Sequence, residues 1–299
     1  MNSVPSLLRK ARNFGDKMLW GGRVVGARAA ARGAMRIGYL YVRRPSRSEI
    51  RLRSGQILEF AFPSQVPRAL LAFGDFIDPE FALLRKIYHP GWIVADVGAA
   101  IGQFAIFAAT LPAAKVHAFE PSSANVAALS RNILRNGVSD RVEVHRLAFS
   151  NAESEAYFET TASTWLSGIS ETGTELVSVR KLTDDFQRRG LDHVSILKIN
   201  VAGFEPQVIE GADVFLAKGG ADILILLLGL ASLPWYAKLA TYGYRFFYFH
   251  PIENVLYEVT AFDADSVLAH RPWPARNIIA IHQAAVEPIL GTRFPVRGI

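Results

Sequence analysis

Two glycines and an acid carry the clearest chemical signal in this sequence. Asp96-Val97-Gly98-Ala99-Ala100-Ile101-Gly102-Gln103-Phe104 follows an apolar run from Trp92 to Val97, and a second apolar run, Val116 to Phe119, ends in Glu120-Pro121. Apolar run, glycine turn, helix pattern, apolar run, acid: that order is half of a mononucleotide-binding sheet, whose ligand crevice lies at the carboxyl ends of the strands. Gly98 and Gly102 predict a turn whose backbone approaches a ligand closely, and the helix that follows offers unpaired N–H groups to an anion. Glu120 stands 18 residues after Gly102, where a carboxylate can accept hydrogen bonds from both hydroxyls of a ribose. The expected ligand carries a ribose and a negative group, with Asp96, Gly98, Ala99, Gly102 and Glu120 as its candidate contacts.

The turn narrows the choice. A dinucleotide fingerprint, G-x-G-x-x-G/A, needs its middle glycine to make room for a pyrophosphate, and Ala100 stands there, with Gln103 at the last position. A G-x-x-x-x-G-K-[ST] cradle for nucleotide triphosphates is missing as well. Asp-x-Gly-x-x-x-Gly after a strand instead resembles the first motif of class I S-adenosylmethionine (SAM)-dependent methyltransferases. SAM has a ribose and a carboxylate but no phosphate.

A second stretch sharpens the resemblance. Leu197-Lys198-Ile199-Asn200-Val201-Ala202-Gly203-Phe204-Glu205, followed by Val208-Ile209-Glu210-Gly211-Ala212, is similar to the signature of the FkbM-type methyltransferases. There the segment reads Leu-Lys-Ile-Asp-Val-Glu-Gly-Phe/Ala-Glu and runs into a short helix ending in Gly-Ala. Gly91 to Ala99 and Ala148-Phe149-Ser150 match the family's style too, which adds Ala148 to the cofactor contacts. The resemblance runs from about Phe73 to about Leu228. It implies an α/β fold: a doubly wound, mostly parallel, Rossmann-like seven-stranded sheet. It also implies SAM as cofactor and methylation of a hydroxyl on a sugar, glycan or secondary metabolite.

The chain departs from that pattern where chemistry matters. The family's aspartate is Asn200, its first glutamate is Ala202, and the next apolar strand, Ile223 to Leu228, ends in leucine where a glutamate is usual. Asn200 still donates and accepts hydrogen bonds, but a neutral amide does not take a proton from a hydroxyl as a carboxylate does. Two readings stay open. One is an active O-methyltransferase with Asn200, Glu205 and His250 as candidate catalytic groups. The other is a catalytically degenerate SAM-binding protein that serves as a binding or scaffold module, and weak or absent transfer is expected.

The seven histidines show no H-E-x-x-H or similar spacing, so no metal site is expected. His117 interrupts a strand pattern and reads as a packed or edge residue. His250 follows the strand pattern Tyr244 to Phe249 on its ligand-facing end, which makes it the one histidine placed to substitute as a base. Trp165, in the loop 160–175, could cover a substrate, as long loops often do.

With 299 residues, half of them hydrophobic, the chain can bury a large core. The division expected is a basic extension (1–44), a lead-in strand and helix (45–90) and the methyltransferase-like unit (91–299). The longest apolar run, Ile223 to Leu233, is too short to span a bilayer. Cysteine is absent, which excludes disulfides and thiolate chemistry and fits a cytoplasmic protein. Residues 1–44 hold ten of the 33 Lys and Arg and a single acid, Asp16, so the tail carries +9 and the remainder −3. The domain therefore lacks the basic face that nucleic acid requires. Leu7, Leu8, Ala11, Phe14, Met18, Leu19 and Val24 recur at helical spacing among the arginines; such a segment can lie on an anionic membrane, act as a transit peptide, or be a solvated surface helix.

Overall fold

The computed structural model describes residues 19–299, except 64, 66–67, 76–77, 160–167, 170–172, 202, 227–232, 263–277, 292–293 and 299. Residues 19–25 are helical and lead into α1 (Ala27–Arg43), followed by the hairpin β1 (Arg47–Arg51) and β2 (Ile57–Ala61), then α2 (Arg68–Phe73) and α3 (Pro79–Ile87). The alternating part begins with β3 (Ile93–Val97), α4 (Gln103–Ala109), β4 (Lys115–Phe119), α5 (Ser123–Arg135) and β5 (Val142–His145). Four strands then make a separate small sheet: β6 (Ala148–Phe149), β7 (Ser154–Glu159), β8 (Gly168–Ile169) and β9 (Glu175–Arg180). The chain continues through α6 (Leu182–Arg188), β10 (Val194–Ile199), α7 (Glu205–Gly211), α8 (Asp213–Ala217), β11 (Ala221–Leu226) and α9 (Leu233–Thr241). It finishes with β12 (Tyr244–His250), β13 (Val255–Val259), β14 (Ile278–His282), α10 (Gln283–Leu290) and β15 (Val296–Gly298).

The large sheet runs β15-β13-β12-β14-β11-β10-β3-β4-β5. Five neighbouring strands, β11, β10, β3, β4 and β5, are parallel, and β14 is inserted antiparallel between β11 and β12. The expected seven strands are present from β12 to β5. β13 and β15 extend the sheet to nine, beyond the seven that the resemblance implied.

Helices cover both faces, so the central strands read as continuous apolar runs, as buried parallel strands do. The period of two sorts each strand between two cores. Val94, Ile196, Ile223, Ile225, Phe247 and Ile279 join one, while Ala95, Val97, Leu197, Ile199, Leu224, Leu226 and Phe246 join the other. The strand order changes direction between β3 and β10, whose register pairs Val97 with Ile199. That switch point puts the loops after β3 and β10 side by side.

The lead-in is bound to this unit by two asparagines of α5. Asn132 Oδ1 accepts the Glu59 N–H (2.7 Å) while its amide donates to the Glu59 carbonyl (3.0 Å) and to Ile101 O (2.9 Å). Asn136 repeats the pairing on Ile57 at 2.8 and 2.7 Å. Side chains thus complete the exposed edge of β2 as a strand would. Ser122 caps α5, accepting from Asn125 N at 3.4 Å, and Gly137 follows the helix at φ 65°.

Candidate active site

The glycine turn sits at the switch point. Gly98 and Ala99 both donate to Phe119 O at 3.0 Å, and Gly102 N donates to Ala99 O at 2.8 Å, which closes the turn before α4. Gly98 and Gly102 have φ of 81° and 95°, where a side chain is strained. The space a Cβ would take is not ligand space. At Gly98 it is filled by the backbone carbonyl of Asn200, and at Gly102 by Leu129 Cδ1 at 2.5 Å. The glycines are needed for the turn's conformation and for the close approach of β3 to the loop after β10, rather than for access of a ligand to those atoms. Ala100, at the position where a dinucleotide site has glycine, holds φ 49°.

Glu120 is buried at the end of β4 and reaches back into this turn. Its Oε2 accepts the Ala100 N–H at 2.8 Å; its Oε1 accepts Ser122 N and Asn125 Nδ2, both at 3.1 Å. Burial pushes its pKa up, against the pull of Asn125, Ser122 and Ala100. Oε1 thus has both lone pairs in use, and the second lone pair of Oε2 stays open to accept from a hydroxyl. Asn125 is itself held by Gln65, whose Nε2 donates to Asn125 Oδ1 at 3.3 Å.

A cavity opens beside the turn, lined by Asp78, Glu80, Phe81, Gly98, Ala99, Ala100, Gln103, Phe104, Lys198 and Asn200. Asn200 therefore does face the turn, held there by its N–H to Val97 O at 3.0 Å. Below it Lys198 Nζ meets Asp96 Oδ1 at 3.0 Å, and both residues are buried. Asp96 Oδ2 and Gln103 Nε2 are buried polar atoms without a hydrogen-bond partner among the described residues. Such atoms are costly unless a ligand or water completes them, so Gln103, which lines the cavity, marks it as a place for an acceptor group.

Two acids reach this cavity that the sequence reading did not select. Asp78 and Glu80 are buried at the start of α3, where Pro79 begins the helix. The only signal was their place just ahead of the first sheet strand, in a segment read as a lead-in helix. Two other selected residues have different surroundings. Glu205 is buried and both of its oxygens are engaged by backbone: Oε1 by Val201 N–H (2.8 Å) and Oε2 by Gly203 N–H (2.9 Å). It staples the loop after β10 and acts as a positioning residue. His250 does not line the cavity: its Nδ1 accepts Glu253 N–H at 3.1 Å and its ring stands edge-on to Trp20 at 5.3 Å. Ala148 pairs with Val179 in the small sheet and packs with Phe158, Val177 and Val179. Ala202, Trp165 and the end of the apolar run Ile223 to Leu228, at Leu227 and Leu228, lie outside the described residues.

His117, Glu143 and His145 come together on β4 and β5 although no spacing pointed to a metal. The contacts describe a hydrogen-bond chain. Arg189 Nη1 lies 2.9 Å from His145 Nδ1 and can only donate, so that nitrogen accepts and Nε2 carries the proton. Nε2 then donates to His117 Nδ1 at 3.2 Å. Burial and the Arg189 charge lower the His145 pKa to about 4, with Glu143 opposing. Both lone pairs that a metal would need are already in use.

A mostly parallel sheet in this strand order, with an acid ending the second strand and facing the glycine turn, defines a methyltransferase-type α/β protein. The methyltransferase FkbM domain matches residues 96–262, more than half of the chain, and the chain belongs to the FkbM methyltransferase family. The 31-O-demethyl-FK506 methyltransferase FkbM of Streptomyces tacrolimicus is 32% identical over 158 residues, covering 42% of this chain and 61% of its own length. The chain thus spans about three-fifths of that relative. Among solved structures, a SAM-dependent methyltransferase from Agrobacterium tumefaciens gives a TM-score of 0.41 at 12% identity over 66% of this chain and 58% of its own. An rRNA methylase from Streptococcus thermophilus gives 0.39 at 13%, covering 68% and 92%. No described helix is long and apolar enough to cross a membrane.

Proposed function

We propose that this protein is a SAM-dependent O-methyltransferase that keeps its catalytic acids on α3 instead of on the loop after β10. One observation carries the reading: the cavity beside the glycine turn gathers Asn200, Gln103 and the carboxylates of Asp78 and Glu80. The family relative's name specifies methylation at an oxygen, which supports a hydroxyl acceptor of the sugar, glycan or secondary-metabolite kind.

The residues present fit the cofactor. The open lone pair of Glu120 Oε2 would accept from a ribose hydroxyl. The unpaired Gln103 Nε2 would donate to the cofactor's carboxylate. When bound, SAM supplies a methyl group made electrophilic by its sulfonium. The chain's own task is to orient the acceptor, exclude water and remove a proton. Asn200 can orient a hydroxyl by accepting from it, and Asp78 or Glu80 can take its proton as the new bond forms. Asn200 and Ala202 are then no sign of lost activity.

The test is transfer of a labelled methyl group from SAM to a panel of hydroxylated glycans and metabolites. Replacement of the base, in Glu80→Gln or Asp78→Asn, should lower kcat about 10²–10⁴-fold while cofactor affinity stays within a few fold. If both variants turn over at the unmodified rate, the proton goes elsewhere. If the unmodified protein binds SAM and transfers to nothing, the scaffold reading replaces this one.

A further inference from the structure

The outward face of α1 has no partner among the described residues and an unusual composition. From Leu19 to Ser48 the chain has seven arginines and no acid. At about 100° per residue, Arg28, Arg32, Arg36 and Arg43 share one side of α1, and Met35, Tyr39 and Val42 form an adjoining stripe at i, i+4, i+7. These three are 66, 60 and 83% exposed, among the most exposed large apolar residues in the protein. Arg28, Arg32, Arg36 and Arg43 form no ion pair with any described residue.

The opposite face is fixed. Ala30, Gly33 and Leu40 are buried there. Gly33 rests directly on the backbone of Ala72 in α2, so close that a Cβ would overlap the Ala72 carbonyl. Val25, Ala30, Ala72 and Phe73 form a small core of their own, with Trp20 and Ile37 packed against it. Arg53 Nη2 adds a hydrogen bond to Val25 O at 2.7 Å. A helix anchored this way holds its basic and apolar stripes as a rigid surface. Trp20 packs on His250 at the carboxyl end of β12, and α2 ends five residues before Asp78, which lines the cavity.

We infer that α1 is a docking surface for an anionic lipid bilayer, laid parallel to the membrane with Met35, Tyr39 and Val42 inserted and the arginines at the headgroups. Charge complementarity selects this occupant. A second copy of the chain seated face to face would bring eight arginines together without a compensating acid. A nucleic acid would leave the apolar stripe in water. Phosphate-bearing headgroups over an acyl layer satisfy both stripes at once.

The experiment uses the full chain and vesicles of phosphatidylcholine with or without about one-third phosphatidylglycerol, read by co-sedimentation. Binding is expected on the anionic vesicles only, falling as salt rises. Each arginine near such a surface contributes about 1 kcal/mol, so the triple variant Arg28→Gln/Arg32→Gln/Arg36→Gln should bind about a hundredfold more weakly. Met35→Ser/Val42→Ser should also weaken binding, and it does so with every charge retained. All these residues are exposed, so the variants should melt like the parent. Equal partitioning to both vesicle types would overturn the inference, as would unchanged binding by the triple variant. So would an oligomer that Met35→Ser/Val42→Ser dissociates while vesicle binding is absent, or tight duplex DNA binding that vesicles do not compete.

Discussion

Replacing Gly98 by alanine tests the claim that the turn is shaped by the neighbouring strand. The new Cβ would lie well inside contact distance of the Asn200 carbonyl oxygen and 3.0 Å from its carbonyl carbon, with Val201 Cγ1 at 3.2 Å. Those backbone atoms cannot swing aside, because Asn200 N is hydrogen-bonded to Val97 O at 3.0 Å and β3 is paired with β10 through four residues. A φ of 81° costs a non-glycine residue about 1–2 kcal/mol. Forcing the strands apart adds about 1–3 kcal/mol, as overpacking does. Alanine's stiffer unfolded chain returns less than about 1 kcal/mol. The net loss should be about 2–4 kcal/mol, a large share of a typical 5–15 kcal/mol stability. Urea unfolding followed by circular dichroism measures it. Gly38→Ala is the control, since Gly38 sits in α1 with nothing near its Cβ position; it should be neutral or stabilising by up to about 1 kcal/mol. A Gly98→Ala protein as stable as the parent, with ligand affinity intact, would refute the reasoning.

The His145 chain predicts a pH dependence. With its folded pKa at about 4 against an ordinary 6.5, His145 is neutral in both states above pH 6.5 and contributes no slope there. As pH falls from 6.5 to 4 the unfolded chain takes up a proton that the folded protein refuses, so stability declines by roughly 3 kcal/mol over that window. In His145→Gln the decline should be flatter by about that amount, and urea midpoints between pH 7 and 4 measure it; parallel curves for the two proteins would contradict the assignment. Glu205→Gln keeps one acceptor but turns an NH₂ toward a backbone N–H, so it should cost about 1–3 kcal/mol. Hydrogen exchange at the Val201 and Gly203 amides should rise in that variant, and unaltered protection would mean that Glu205 does not staple the loop.

Much of this fold is written locally. The apolar runs that became β3, β10 and β11 are buried on both faces and so stand out, and the turn between Gly98 and Gly102 is set by residues next to one another. What stayed hidden depends on distant partners. The hairpin β1–β2 is rich in Arg and Glu, and its second strand is completed by asparagine side chains more than 70 residues away. Asp78 and Glu80 join the cavity only because α3 folds over the start of α4. Motif position also leaves a side chain's surroundings open. Glu205 looks like a catalytic acid until its two backbone donors are seen, and His250 reaches the ligand end of the sheet but turns to Glu253 and Trp20. Even at the two glycines the space a side chain would fill belongs to distant neighbours, the Asn200 carbonyl at Gly98 and Leu129 of α5 at Gly102.

The central claim is that the cavity beside the glycine turn, with Glu120 behind that turn, binds SAM. Isothermal titration of the purified protein with S-adenosylhomocysteine, repeated on Glu120→Ala, measures this directly. The predicted result is one binding site per chain and an affinity lowered about 10- to 100-fold in the variant, the equivalent of losing about 1.5–3 kcal/mol of hydrogen bonding to a charged acceptor. No heat of binding from the unmodified protein, or equal affinity in both, would contradict it.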